Sequence, residues 1–471
     1  MILSVRDLAS DRRPDVCIIG SGPAGLTLAI RLHAAGKDVL VLEGGEREIS
    51  GDSQELYAGT VIGDDYYDLA SARLRYLGGT SNHWNGWCRP LDAIDFTARA
   101  DFPETGWPIS KADLDPYLAP AKEILELEGD FADAPLDHGI RRIRFLNSDP
   151  PVRFGEKYGS VLESDAGPSL CLGANLVGFD TEDGRVTAAH VRDFDGGSAT
   201  VRAGVFVLAC GGIENSRLLL HFNAESGGRL VPRADTLGRY WMEHHYAAPG
   251  VAVMDTPSDG QITFALDERT QTELAVLNCR LRIQPIRRDG RVREMARSLA
   301  CRAPRLGEWV YDRIGRDLDC VSEIQASWEQ EPRAENRIEL STEARDAFAI
   351  PTTVLHWARG PNDRKTLAES VERLGEYLAR SGQGRLRMET WLQEGAPDPR
   401  DDLLGGWHHM GGTRMSARPG DGVVDSDLKV WGQDNLYLAG SSVFPAGGQA
   451  NPTFTIVQLS LRLADHLEQR L

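Results

Sequence analysis

The 471-residue chain predicts an α/β protein: a parallel-sheet domain assembled from separated stretches of sequence, with a second domain carried on the insertions between them. Three observations carry that expectation. A β-α-β unit of about 30 residues opens the chain. Strand–helix pairs of the same buried type recur in mid-chain and near the end. Between about 255 and 400 the sequence alternates weakly, in the manner of a mostly antiparallel sheet with helices.

The first strand is "VCIIG", a short apolar run with β-branched residues ended by Gly20. "PAGLTLAIRLHAAG" follows with apolar residues at helical spacing and a stop at Gly36, and "DVLVLEGG" is the second buried strand. In mid-chain "VFVLACGG" (Val205 to Gly212) reads as strand and "IENSRLLLHF" as helix. Near the end "NLYLAG" and "NPTFTIVQLSLRLADHLEQRL" repeat the design, with proline opening the helix. These stretches assign 1–90, 155–235 and 405–471 to the discontinuous domain, and 91–154 and 236–404 to the second.

Composition excludes several classes. Hydrophobic residues at 41% and charged residues at 26% belong to a globular chain rather than a disordered one. A net charge of −18 argues against nucleic acid, whose binding requires phosphate neutralisation, and against anionic lipid. The seven cysteines, Cys17, Cys88, Cys171, Cys210, Cys279, Cys301 and Cys320, form no C-x-x-C pair, which argues against a disulfide framework and a zinc site. The opening "MILSVRDLASDRRPD" is too charged for a secretory signal, and apolar runs fall short of a membrane span. The expected location is the cytoplasm.

The chemistry begins at Gly20-Ser21-Gly22-Pro23-Ala24-Gly25, a G-x-G-x-x-G lying between strand and helix. Gly20 permits the tight turn, Gly22 lets the backbone approach a pyrophosphate, and Gly25 allows close helix–strand packing. The helix N-terminus offers unpaired N–H groups and a positive dipole end to phosphates. Glu43, 23 residues after Gly20, ends the second strand, where a carboxylate accepts from ribose hydroxyls. The motif alone serves FAD and NAD equally. A second helix N-terminus, at Asn451-Pro452, suits the pyrimidine edge of a flavin, where negative charge develops on reduction, and selects FAD.

Read in order, "LGGTSNHWNGWCRPL", "GWPISKADLDPYL", "ACGGIENSRLLL", "GRYWMEHH" and "WHHMGGTRM", with the two ends already quoted, resemble the glucose–methanol–choline (GMC) flavin oxidoreductases. Within that family the nearest branch holds pyranose oxidases and bacterial sugar dehydrogenases. The resemblance implies a Rossmann-like FAD domain and the oxidation of an alcohol, with a base taking the hydroxyl proton while hydride passes to flavin N5. The family's H-x-x-G-x-x-R-M aligns with His408, Gly411, Arg414 and Met415, which makes His408 the base and Asn451 its partner. Alternation along an extended segment implies that only one of His408 and His409 faces the flavin.

The resemblance also lays the Gly78–Gly86 loop along the cofactor, with Gly79 and Asn85 in contact. It leaves His83 open between a covalent histidyl–FAD bond and a non-covalent contact. Gly440, Ser441, Pro452 and Thr453 complete the implied cofactor set. Gly440 stands where many members carry Asp, so a carboxylate role there is lost while the backbone N–H stays available. His244-His245 looks like a metal pair, but no further ligands stand at metal spacing, so packing or a hydrogen-bonded turn is the reading. Trp84, Trp87, Trp241 and Trp407 are compatible with stacking on a sugar ring.

The expected reaction is FAD-dependent oxidation of a hydroxyl of a sugar, glycoside or aminosugar (the last raised by the acidic net charge), with an unknown electron acceptor. The alternatives are a sterol or other apolar alcohol oxidase, and a flavoprotein subunit of a larger electron-transfer assembly. The stretch from about 255 to 395, where family members build the substrate pocket, carries almost no motif.

Overall fold

Four short apolar runs from distant parts of the chain are buried on both faces, and they align as one parallel sheet: Val16–Ile19, Val39–Leu42, Val205–Leu208 and Leu436–Leu438. The computed structural model describes residues 1–8, 12–254, 261–285, 321–393 and 404–471. Cys301, Cys320 and parts of the alternating middle lie outside them. The sheet has six strands, in the order Ile2–Leu3, Ser169–Cys171, Val39–Leu42, Val16–Ile19, Val205–Leu208 and Leu436–Leu438.

The helix Pro23–Ala34 follows the first glycine turn and packs against the C-terminal helix Thr453–Arg470, so the two ends of the chain share one core. The mid-chain strand stops at Leu208, four residues short of the run read from sequence. Residues 209–212 instead turn toward the helix Glu214–Glu225. Gly20 holds φ +108°, and a Cβ there would stand 2.5 Å from the Ala209 carbonyl oxygen, so only glycine fits between the two turns.

The second sheet is antiparallel and has eight strands. His244–Met254, Val321–Glu329, Cys279–Pro285, Ile262–Leu266 and Ile140–Ile143 run side by side, with Gly384–Met388 and Ala134–Pro135 at the margins and Leu404–Gly405 beside the start of His244–Met254. One face is covered by the helix Pro361–Arg380, whose Leu367, Val371, Leu374 and Leu378 recur at helical spacing. Leu281 and Ile283 point into that core. The intervening Arg280 and Arg282 therefore point to the opposite face. The parallel strands Gly59–Gly63 and Pro351–Trp357 form part of a further small sheet that links early and late chain.

Among the described residues, no helix is long and apolar enough to cross a membrane.

Candidate active site

A single cavity of about 570 Å³ runs from the first glycine turn to the segment 405–409. Gly20, Ser21, Gly22, Pro23 and Ala24 wall one end, with Glu43 beside them. Glu43 is held there because Oε2 accepts from the Ser21 N–H (2.9 Å) and Ser21 Oγ (2.6 Å), while Oε1 accepts from the Gly45 N–H (2.8 Å). The motif glycines do different work. A Cβ at Gly25 would lie 2.0 Å from the Gly20 carbonyl oxygen, whereas a Cβ at Gly22 would meet nothing within 4 Å. Gly25 is required by the protein's own packing; Gly22 keeps open a space that the protein does not fill.

The rest of the implied cofactor set lines the same cavity: Gly79, His83, Asn85, Gly440, Ser441, Pro452 and Thr453. Ser441 Oγ donates to the His409 carbonyl oxygen (2.6 Å). His83 is half-buried and stacks on Trp407, with ring centroids 5.4 Å apart and planes 29° apart. The start of the C-terminal helix meets the cavity at Pro452 and Thr453, so two helix N-termini face one space. An elongated anionic dinucleotide fits this arrangement of glycine turn, carboxylate and paired helix ends.

His408 is half-buried on the cavity wall, and its Nδ1 lies 2.9 Å from Nδ1 of His244. His244 Nε2 lies 2.7 Å from the Gly448 carbonyl oxygen. That carbonyl can only accept, so His244 Nε2 carries the proton. Burial, then the Arg280 charge, pushes His244 down to about 3, which keeps the ring neutral and leaves a lone pair on Nδ1. His408 must then donate through Nδ1, and its Nε2 is the unprotonated nitrogen. Burial, His244 and Arg280 together hold His408 well below the ordinary histidine range. Glu243 fixes both backbones: its Oε1 accepts from the N–H of His244 (2.8 Å) and of His408 (2.7 Å).

His409 also reaches the cavity wall, contrary to the expectation from alternation. The segment is not a strand there. Trp407 takes φ +58°, which breaks the extended geometry and brings both rings to the same wall. The two differ in partners: His409 Nε2 meets the Tyr66 hydroxyl (3.0 Å), and burial pushes it down to about 3.

Asn451 lines the cavity without capping the last helix, whose N-cap is Pro452. Its Nδ2 donates to the Trp87 carbonyl oxygen (2.9 Å), which leaves the second amide hydrogen free, and its Oδ1 has no partner. Of the four tryptophans read as ring platforms, Trp84, Trp87 and Trp407 line the cavity; Trp241 is fully buried and packs edge-on against Tyr66 instead.

The roles of Tyr246, Arg280 and Arg282, which line the cavity, and of His244, which is buried behind His408, were not legible in the sequence; His244 was read only as packing or a hydrogen-bonded turn. The only signal was alternation. His244 and Tyr246 share one face of their strand, with Arg280 and Arg282 on one face of another, a pattern that ordinarily marks a solvent face.

This fold and site define a flavin-dependent oxidoreductase with its cofactor cradle built from both ends of the chain. Residues 332–460 match the family model described as GMC oxidoreductase, and residues 14–247 match that of pyridine nucleotide-disulphide oxidoreductases. The C-terminal match ties residues 332–460 to the GMC oxidoreductases. It is 26% identical to C-glycoside 3-oxidase of Microbacterium trichothecenolyticum, over 84% of this chain and 75% of that protein. It is 25% identical to 6'''-hydroxyparomomycin C oxidase of Streptomyces lividus, over 97% and 92%. The match to the fructose dehydrogenase large subunit of Gluconobacter japonicus, at 28% identity, takes in 65% of this chain and 55% of that subunit. In fold, the chain resembles the crystal structure of pyridoxine 4-oxidase from Mesorbium loti, with a TM-score of 0.61 and 17% identity over 96% of this chain and 98% of that one.

Proposed function

We propose that this protein oxidises a hydroxyl group of a sugar or glycoside to a carbonyl, with FAD as the resident cofactor. The observation that carries the reading is the fixed tautomer of His408, which presents an unprotonated Nε2 at a cavity wall shared with the glycine turn. Relatives named for oxidation of C-glycosides and of an aminoglycoside support the substrate class.

Gly20, Gly22 and Glu43 would hold the ADP portion, with Gly25, which does not line the cavity, only seating the helix against the turn, and with Gly79, Asn85, Gly440, Ser441, Pro452 and Thr453 against the flavin. FAD supplies an acceptor for two electrons at N5. His408 Nε2 takes the hydroxyl proton, and the charge that the ring gains is shared through Nδ1 with His244, whose Nε2–H is anchored on Gly448. Asn451 offers its free amide hydrogen to the substrate oxygen as negative charge builds there. Trp87 and Trp407 offer aromatic faces to a sugar ring at the cavity wall. His83 contacts the flavin without a covalent bond in this reading; flavin released into the supernatant on acid precipitation is the expected result, and yellow pellet the contrary one.

The same reading divides the chain as the sequence suggests. Every strand of the parallel sheet comes from 1–90, 155–235 and 405–471, and the main path of the antiparallel sheet comes from 91–154 and 236–404. Anaerobic mixing with sugars and glycosides should bleach the visible flavin band. His408→Ala should slow bleaching by about 10²- to 10⁴-fold while flavin content is retained; full bleaching in that variant would remove His408 as the base.

A further inference from the structure

The His408 end of the cavity carries positive charge that no protein group neutralises. Arg280 is 4% exposed, donates to the Tyr246 hydroxyl through Nη2 and to the Gln449 carbonyl oxygen through Nη1 (3.2 Å). Arg282, two residues along the strand and on the same face, makes no side-chain hydrogen bond among the described residues. Neither guanidinium meets a carboxylate within 4.0 Å among those residues. Among the described residues the sole acid on the cavity wall is Glu43, which accepts from Ser21 and Gly45 at the far, glycine-turn end.

We propose that Arg280 and Arg282 form an anion subsite, so that the preferred substrate carries a carboxylate or phosphate group in addition to the hydroxyl that is oxidised. The proposal rests on the alcohol-oxidation reading for the hydroxyl, and on the arginines alone for the anion. Buried charge is expensive unless paired, and among the described residues each buried arginine other than Arg280 has an acid within the chain: Arg73 with Glu214, Arg89 with Asp92 and Asp133, Arg217 with Glu214 and Asp346, and Arg414 with Glu104. Aromatic faces soften the two cavity charges without cancelling them. Arg280 lies 4.6 Å from the Phe145 ring centroid, and Arg282 lies 5.1 Å from that of Trp87. Burial and the like charge of Arg280 push Arg282 down to about 10, so it remains charged near neutrality and gains from an anion.

Two guanidinium forks on alternate positions of one strand offer planar, bidentate donors, the geometry that carboxylate and phosphate accept best. The chain's overall charge of −18 does not oppose this, because a short-range pair inside a cavity outweighs a screened surface field.

The test uses four probes on one ring: glucose, glucuronate, glucose 6-phosphate and glucosamine. Binding is read on flavin-free protein by tryptophan fluorescence, since Trp84, Trp87 and Trp407 line the cavity; turnover is read on the holoenzyme by anaerobic bleaching. Glucuronate or glucose 6-phosphate should bind at least tenfold more tightly than glucose at low salt, with added sodium chloride eroding the difference. Which of the two anions leads identifies the group. Arg282→Gln should erase the preference, and Arg280→Lys, which keeps the charge but loses the fork, should weaken it. The reduction potential of the flavin in Arg282→Gln should stay at the wild-type value. Equal binding of all four, a lead for glucosamine, or a lowered potential with the anion preference intact would overturn the subsite. Anion-selective binding without bleaching by any probe would instead overturn the sugar-oxidation reading and leave the subsite standing.

Discussion

His408 and His244 share one Nδ1–Nδ1 hydrogen bond, so His408 takes a proton at Nε2 while His244 keeps its own tautomer. His408 is held below the ordinary histidine value of 6.5, so in the proposed role it would be ready to accept a proton above its lowered pKa and would lose that role only as pH falls through it. The acid limb of kcat/KM should therefore lie below 6.5. In His244→Leu the acceptor for Nδ1–H disappears, so the protonated ring that proton abstraction creates loses its partner. kcat should then fall while flavin content is retained, as a pH–rate series with flavin quantitation would record. At the other end of the cavity, Gly22→Ala should fold with unchanged thermal stability when flavin-free yet bind FAD more weakly, because the added methyl enters open space. Gly25→Ala should lose stability even without flavin, because its methyl meets the Gly20 carbonyl. Flavin content and melting temperature of the two variants separate these outcomes.

At the scale of elements, the helix Glu214–Glu225 is tied to the turn before Pro351–Trp357 by Arg217, which bonds Glu214 (2.7 Å), Asp346 and the Pro351 carbonyl oxygen (2.8 Å). All of these groups are buried, so Arg217→Met leaves Asp346 without its guanidinium and Glu214 with Arg73 alone. It should destabilise the fold by about 3–5 kcal/mol in denaturant titration. Local elements were legible where one residue type has one physical reason to be present. The G-x-G-x-x-G turn, the apolar strands beside it and the proline-led last helix were read directly. The 407–409 segment was not: a positive φ at Trp407, imposed by its surroundings, put His409 on a wall that alternation assigned to His408 alone. Trp241 was read as a possible platform because tryptophan chemistry is the same in a core and in a cleft; only burial tells them apart.

Across the whole molecule, the cavity joins residues more than 400 positions apart, from Gly20 to Thr453. Ligand that bridges these walls stabilises the folded state by mass action. FAD at a hundredfold excess over its Kd should add about 2.7 kcal/mol, visible as a higher melting temperature of the reconstituted protein. ADP, which reaches only the glycine-turn end, should give a smaller rise. By itself the sequence determined the sheet type and the nucleotide turn, because each is written in contiguous residues whose spacing answers to a local geometry; the flavin and the choice of His408 as candidate base came through the family resemblance, the flavin with a second helix N-terminus in its support. Tertiary structure decided what stands around the base. Tyr246, Arg280 and Arg282 lie on strand faces whose pattern is that of any polar face, and they become cavity walls, with His244 buried behind them, only because the parallel sheet packs against that side of the antiparallel sheet. Period-two alternation tells which side chains share a face, and says nothing of what that face will meet.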